Sequence, residues 1–517
     1  MVVGRMNDLR QNKKMGTRIL DTVERVGNKL PHPFMLFLYL AIAVIVFSSI
    51  IASFGVSFTH PGTGEETAVR SLVSAEGFMY ILDSMISNFI GFTPLGLVLT
   101  MMLGIGLAQQ VGLVETFIKS TILRAPTKLV TIAVVTTGIV GNIASDAAYV
   151  LIPPLGAMIF YALGRHPLAG MAAGFAGVGA GFTANFIPAG TDVLLSGIST
   201  EVVQTMEPGM IVHMTDNYYF MIVSSIMLII ICTVITERVI EPRLGKFNAK
   251  YGAKEYVEQE LDTVGPKESK ALLVSLAAGF VYLVIISFFI VPESGILRGE
   301  GGSIVPSPFI SNIVPILLFL FLTISIAYGI AAGVIKSTRD VPEMMAEAIK
   351  SMAGYIVLIF AAAQFIAYFD WSNIGVWIAV SGAEFLESVN MTGMGVIVAF
   401  IFLTTLLNLF IFSGSAQWAL MAPVFIPLFM LLDYHPALVQ LAYRIGDSST
   451  SVITPMNPYV PMVLAFMKKY DSRAGFGTLF SIMLPYTLVI LALWIVLFLI
   501  WTGFELPIGP GVTDYKG

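Results

Sequence analysis

The chain carries eleven long apolar blocks, and two of them are interrupted near the middle by small polar residues. About 20 apolar residues span a bilayer as a helix. In hydrocarbon every backbone polar group must find its partner inside the protein. Nine blocks read as spans: 33–56, 92–113, 168–200, 217–240, 270–292, 309–336, 351–385, 437–467 and 478–502. The other two, 127–163 and 392–432, are broken by Gly141-Asn142-Ile143-Ala144-Ser145-Asp146 and by Ser413-Gly414-Ser415-Ala416-Gln417. Each half is too short to cross, so both read as re-entrant hairpins that enter and leave on one side. Composition agrees: 56% of residues are hydrophobic and 12% charged, against about 25% charged in soluble domains. A soluble globular enzyme is excluded.

Charge sets the orientation, because cytoplasmic loops collect Lys and Arg. With the N-terminus inside, 24 of the 28 basic residues fall on the cytoplasmic side. Arg70, Arg298 and Lys516 fall outside, and Arg444 lies within a span. Reading either hairpin as a crossing would invert every later loop. The expected order is therefore a cytoplasmic segment 1–32, spans in 33–126, a first hairpin with a broken span in 127–200, and further spans in 201–391 with a cytoplasmic loop 241–270. A second hairpin with a broken span follows in 392–467, then a last span and an external C-terminus in 468–517.

The two hairpin regions repeat one another at an offset of roughly 270 residues: Ser145 with Ser415, Pro153 with Pro423, His166-Pro167 with His435-Pro436, Pro188 with Pro458. Five spans lie between the hairpins, and an odd number inverts the second copy. Inverted repeats with broken helices mark secondary transporters with a site near the midplane. The breaks are Asn185-Phe186-Ile187-Pro188-Ala189-Gly190 and Thr454-Pro455-Met456-Asn457-Pro458. Proline removes a backbone donor and stops the helix, so half-helix ends gather around one site. Their N-termini favour anions, and Ser145 and Ser415 stand where each second hairpin arm would be capped.

The polar residues within these spans are few. Arg444 is costly in a bilayer, and Asp447, three residues on, can pair with it on one helical face. Asp146, Asp192 and Asp370 are further acids in apolar surroundings, and intramembrane acids are functional candidates. Asn142, Asn185 and Asn457 offer oxygens suited to sodium, or caps for broken helix ends. Trp418 reads as an interfacial anchor or as a platform for an aromatic substrate. No histidine pair has metal-ligand spacing and no phosphate-binding loop occurs, so neither a cofactor nor bound ATP is expected. The lack of a basic run argues against nucleic acid.

The windows from Gly141 to Asp192 and from Ser413 to Pro458 resemble the p-aminobenzoyl-glutamate transporter (AbgT) family. The resemblance extends over nearly the whole chain from Val23-Glu24-Arg25-Val26-Gly27-Asn28-Lys29-Leu30-Pro31-His32-Pro33 onward. It implies an all-α polytopic protein of the bacterial inner membrane, a homodimer of nine spans and two hairpins with an elevator motion. It also implies functional roles for Asp192, Ser415, Trp418, Arg444, Asp447 and Pro455, and transport of a folate catabolite or proton-driven export of sulfonamides. The expected function is thus secondary transport of p-aminobenzoyl-type anions or sulfonamides. Asp192 and Asp447 would carry the proton; Arg444, Ser415, Trp418, Pro455, Asn185, Asn457 and Ser145 would form the substrate site. Sodium coupling is the nearest alternative. An intramembrane aspartyl protease fits poorly, since Arg444 would hold Asp447 ionised and Ile445-Gly446-Asp447 lacks the required Gly-x-Gly-Asp pattern. A passive channel would need no titratable pair.

Overall fold

Proline opens many of the helices, where its fixed φ and missing N–H cost nothing. A computed structural model describes residues 31–59, 64–144, 146–247, 264–304 and 307–512. The expected cytoplasmic segment up to residue 30, most of the loop 241–270, Ser145 and the last five residues lie outside the described residues. Helix α1 (Pro33–Ser53) leads to a short antiparallel pair, β1 (Ser57–Thr59) with β2 (Glu66–Ala68). Then come α2 (Ala75–Ile90), α3 (Thr93–Gln110) and α4 (Leu113–Leu123). The first hairpin is α5 (Val130–Gly141) and α6 (Asp146–Ala162), and the first broken span is α7 (Pro167–Ala180) and α8 (Gly190–Met206). Helix α9 (Tyr218–Ile235) runs on through a π turn, Thr236–Ile240, into Glu241–Leu244. Helices α10 (Pro266–Ile290), α11 (Ile313–Ala332), α12 (Asp340–Ser351), α13 (Ala353–Trp371) and α14 (Ile374–Ser388) follow. The second hairpin is α15 (Met394–Asn408) and α16 (Gly414–Leu431), the second broken span α17 (Pro436–Thr450) and α18 (Val460–Tyr470), and the last helix α19 (Phe476–Gly503).

The chain is all-α and polytopic, and its helices are interrupted at both expected hairpin tips and at both expected breaks. Eight helices among the described residues are long and apolar enough to cross a membrane, or nine if the pair bent by 112° around residues 124–126 counts as one. One of the eight is α16, the hairpin arm expected to be too short to cross. Two further segments differ from expectation. The block 351–385 is two helices, because Asn373 adopts the left-handed conformation (φ 61°) and ends α13. Ahead of the block 92–113 stands α2, which hydropathy hid because Glu76, Asp83, Ser84, Ser87 and Asn88 dilute it.

The repeat is longer than the matched residues suggested. The succession α2 to α9 recurs as α12 to α19, element for element: a paired helix, a short helix, a hairpin, a broken span and a long closing helix. The matched His-Pro pairs have one physical role. His166 Nδ1 accepts from Leu168 N and His435 Nδ1 from Ala437 N, at 3.3 and 3.1 Å, so each histidine caps its half-helix and each proline takes the first helical position. Every residue of α7 and of α17 is buried. These two half-helices form the centre of the molecule, while α10 turns Leu273, Phe280 and Phe288 outward, as a lipid-facing helix does.

Candidate functional site

Each hairpin tip is tied to a broken span by an asparagine. Asn142, just past α5, donates from Nδ2 to the carbonyls of Gly138 (3.1 Å), Ile139 (3.3 Å) and, on α7, Val178 (2.9 Å). Asn408, the last residue of α15, donates to the Asp447 backbone carbonyl and to Asp447 Oδ1 (2.7 Å). Asn142 and Asn408 thus do the same work in the two repeats, bonding the last turn of the first half of a broken span. Asn408 was not among the expected site residues, because a lone Asn ending a leucine-rich helix carries no signal until its partner is known.

The first break bonds directly to α17. Thr183 Oγ1 and Ser448 Oγ lie 2.6 Å apart, and Thr183 N donates to Ser448 Oγ at 3.2 Å. Arg444 Nη1 donates to the Thr183 carbonyl at 3.2 Å and forms an ion pair with Asp192 Oδ1. Asp192 Oδ2 accepts from Ala189 N at 2.7 Å, capping α8 beyond the Pro188 break. The expected Arg444–Asp447 pair is therefore corrected. Residues three apart share a helix face, but α17 is surrounded on all sides, and each side chain takes the partner its neighbours supply. Arg444 finds Asp192, and Asp447 finds Asn408. Arg444 Nε and Nη2 and Asp447 Oδ2 are buried with no hydrogen-bond partner.

The second break is satisfied largely from within. Asn457 Nδ2 donates to the Ser451 carbonyl (3.0 Å) and Asn457 Oδ1 accepts from Tyr459 N (2.9 Å). Thr454 Oγ1 donates to the Leu409 carbonyl at 3.0 Å. Asn185, in the first break, is the contrast: 3% exposed, with neither amide atom partnered. Ser413, not Ser415, caps α16, accepting from Ala416 N at 3.4 Å.

These parts enclose a cavity of about 410 Å³. Asn142, Thr183, Thr191, Ser413, Gly414, Ser415 and Asp447 supply its polar wall, and Val98, Met102, Ile105, Tyr355 and Leu358 of α3 and α13 face them. Arg444, Pro455, Asn185 and Asn457 do not line it. Neither does Trp418, so the substrate platform expected there is corrected. Trp418 is 0% exposed, its ring packs on Tyr443 at 4.6 Å, and its Nε1 donates to Ser199 Oγ (3.1 Å) and the Leu195 carbonyl (3.2 Å). Ser199 bonds Gln440, Gln440 bonds Asn217, and Asn217 bonds the Ala437 carbonyl. This buried chain joins the second hairpin to both broken spans. The aromatic residues that do reach the cavity are Tyr149, Phe182, Tyr355, Phe412 and Tyr459, none of which was singled out in the sequence.

Residues 18–515 match the AbgT putative transporter family. A p-aminobenzoyl-glutamate transport protein from Escherichia coli (strain K12) is 43% identical over 491 residues, covering 95% of this chain and 96% of that one. Among solved structures, the Alcanivorax borkumensis YdaH transporter is similar with a TM-score of 0.87 at 37% identity, over 93% of this chain and all of the other. Neisseria gonorrhoeae MtrF, described as illuminating a class of antimetabolite efflux pumps, is similar with a TM-score of 0.89 at 41% identity, over 96% of this chain and all of MtrF.

Proposed function

We propose, from the premise that this chain belongs to the AbgT family, that it moves p-aminobenzoyl-glutamate-like aromatic anions or sulfonamide antimetabolites across the bacterial inner membrane, driven by protons. It is a multi-pass membrane transporter and not an enzyme, as its family and relatives are. The substrate reading draws on what the relatives are named for. The observation that carries the site is the meeting of both hairpin tips and both breaks at one cavity, with the carboxylate of Asp447 on its wall.

Asp447 is the proton carrier in this reading. Asn408 holds one carboxylate oxygen, the other is buried without a hydrogen-bond partner, and Asp447 is among the residues that line the cavity, where the proton would be exchanged. Asp192 pairs with Arg444 and accepts from a backbone N–H, and in this reading it braces the first break against α17. Ser415 and the N-termini of α8 and α16 meet the anionic group of the substrate, where helix N-termini stabilise negative charge. Alternating access follows an elevator motion of the hairpins and broken spans past α3 and α13, within a homodimer whose N-termini are cytoplasmic and C-termini periplasmic. Sodium coupling has one observation in its favour, the unpartnered amide of Asn185. Proteoliposomes with separately imposed pH and sodium gradients decide between them. Accumulation of labelled p-aminobenzoyl-glutamate or a sulfonamide under a pH gradient alone is expected; accumulation only under a sodium gradient overturns the proton reading, and none under either overturns the substrate reading.

A further inference from the structure

The cavity has an aromatic side that the polar constellation does not account for. Tyr459, the last residue of the second break, and Tyr149, early in α6, stack with ring centroids 4.8 Å apart and planes within 3° of parallel. Phe412, ahead of the second hairpin's tip, meets Tyr149 edge-on at 6.4 Å, and Phe175 backs the same ring from α7 at 5.8 Å. Tyr149 is 1% exposed, whereas Tyr459 is only partly buried, beside the exposed Pro458. The pair is thus a braced platform with Tyr459 as its open member. Trp418, early in α16 of the other repeat, does not add to this wall: its ring is enclosed and its N–H is spent on α8.

We propose that Tyr459, backed by Tyr149 and flanked by Phe412, is an arene subsite that selects aromatic over aliphatic anions, with the anionic group of the ligand toward Ser413 and Ser415. This rests on the aromatic-anion reading of the site above and assigns its specificity to a definite wall. Aromatic rings prefer offset-stacked or edge-to-face contacts at about 4.5–7 Å, and a ring already held by neighbours loses little freedom when a ligand settles on it. The cavity volume of about 410 Å³ suits one ring with a short polar extension. Asp447 and the tip serines line the same cavity, so charge recognition and ring recognition are made by different residues and separate by mutation.

The test is calorimetric binding of 4-aminobenzoate and of glutarate to the full chain purified in detergent, with the melting temperature as the fold control. Wild type is expected to prefer 4-aminobenzoate. Tyr459→Leu is expected to weaken 4-aminobenzoate about tenfold and glutarate less than about twofold. Tyr459→Phe retains the preference, and Trp418→Phe retains it while lowering the melting temperature. If Tyr459→Leu does not fold, Phe412→Leu takes its place with the same direction expected. A wild type that prefers 4-aminobenzoate, together with a Tyr459→Leu variant that keeps the full preference or loses both ligands equally, overturns the subsite alone. A wild type without aromatic preference overturns the aromatic-anion reading and the subsite with it.

Discussion

Arg444 shows how a buried charge chooses its partner. The Arg444–Asp192 pair joins α17 to α8, and removing one member of such a pair strands the other in a water-poor site. Arg444→Gln is expected to destabilise the protein by about 3–5 kcal/mol, seen as a lower melting temperature. Adding Asp192→Asn should recover most of that loss, and adding Asp447→Asn should not; rescue by the Asp447 change alone would restore the pairing that helical spacing suggests. A second titratable residue lies outside the spans. Asp216, in the connection from α8 to α9, is 3% exposed and accepts from His213 N at 2.8 Å. Burial pushes its carboxyl up to about 7, the backbone bond offsetting only part of that. A folded-state value above the unfolded one favours the protonated, folded form. This contribution is fully present below about pH 4 and is lost as pH rises through about 7. Asp216→Asn, neutral throughout, should therefore show a flatter melting temperature from about pH 5 to 8 than wild type does. A wild-type curve no steeper than the variant's would sink this. Arg444 and Asp447 stood out in the sequence because ionisable residues are rare in apolar blocks, whereas Asn408, Thr183 and Tyr459 did not, because their chemistry exists only beside their partners.

At the scale of the elements, the hairpin and its broken span are held together by close backbone approach. A Cβ on Gly170 of α7 would lie 2.2 Å from the Gly156 carbonyl oxygen of α6, and one on Gly156 would lie 2.4 Å from the Gly170 oxygen. On the other arm, a Cβ on Gly177 would meet the Val135 carbonyl oxygen at 2.8 Å. Small residues are what let helices pack this closely in a bilayer, where no water drives them together. Gly170→Ala must push α6 and α7 apart and is expected to cost about 1–3 kcal/mol, read as a lower melting temperature of detergent-solubilised protein. Gly477→Ala in α19, whose added Cβ meets nothing within 4 Å, is the matched control and should leave stability unchanged or slightly raised. Equal effects at both positions would mean that helix propensity, not packing, decides. The glycines were visible in the sequence, but which of them face a neighbouring backbone was not.

At the scale of the whole molecule, the two hairpin tips converge on one cavity that also reaches His32, Pro33, Met352 and Gly354 at the starts of α1 and α13. In the orientation proposed from the distribution of Lys and Arg, those starts face the cytoplasm. Cysteines at Asn142 and at Ser415, in a chain with Cys232 replaced by Ser, are therefore both expected to react with a membrane-impermeant thiol reagent from the cytoplasmic side in this conformation. Exclusive labelling of Ser415→Cys from outside would count against it. The hairpins, the breaks, the repeat and the expected orientation followed from sequence alone, because the bilayer tolerates few alternatives: an apolar block must be helical, and a polar break must be covered by protein or water. Only the tertiary structure decided which charge pairs with which, that Trp418 belongs to the core while Tyr459 borders the cavity, and that Asn185 is unsatisfied where Asn457 is not. Hydropathy and spacing act along the chain and are written in it. Partner choice depends on residues some 250 to 270 positions away, and no local pattern encodes that.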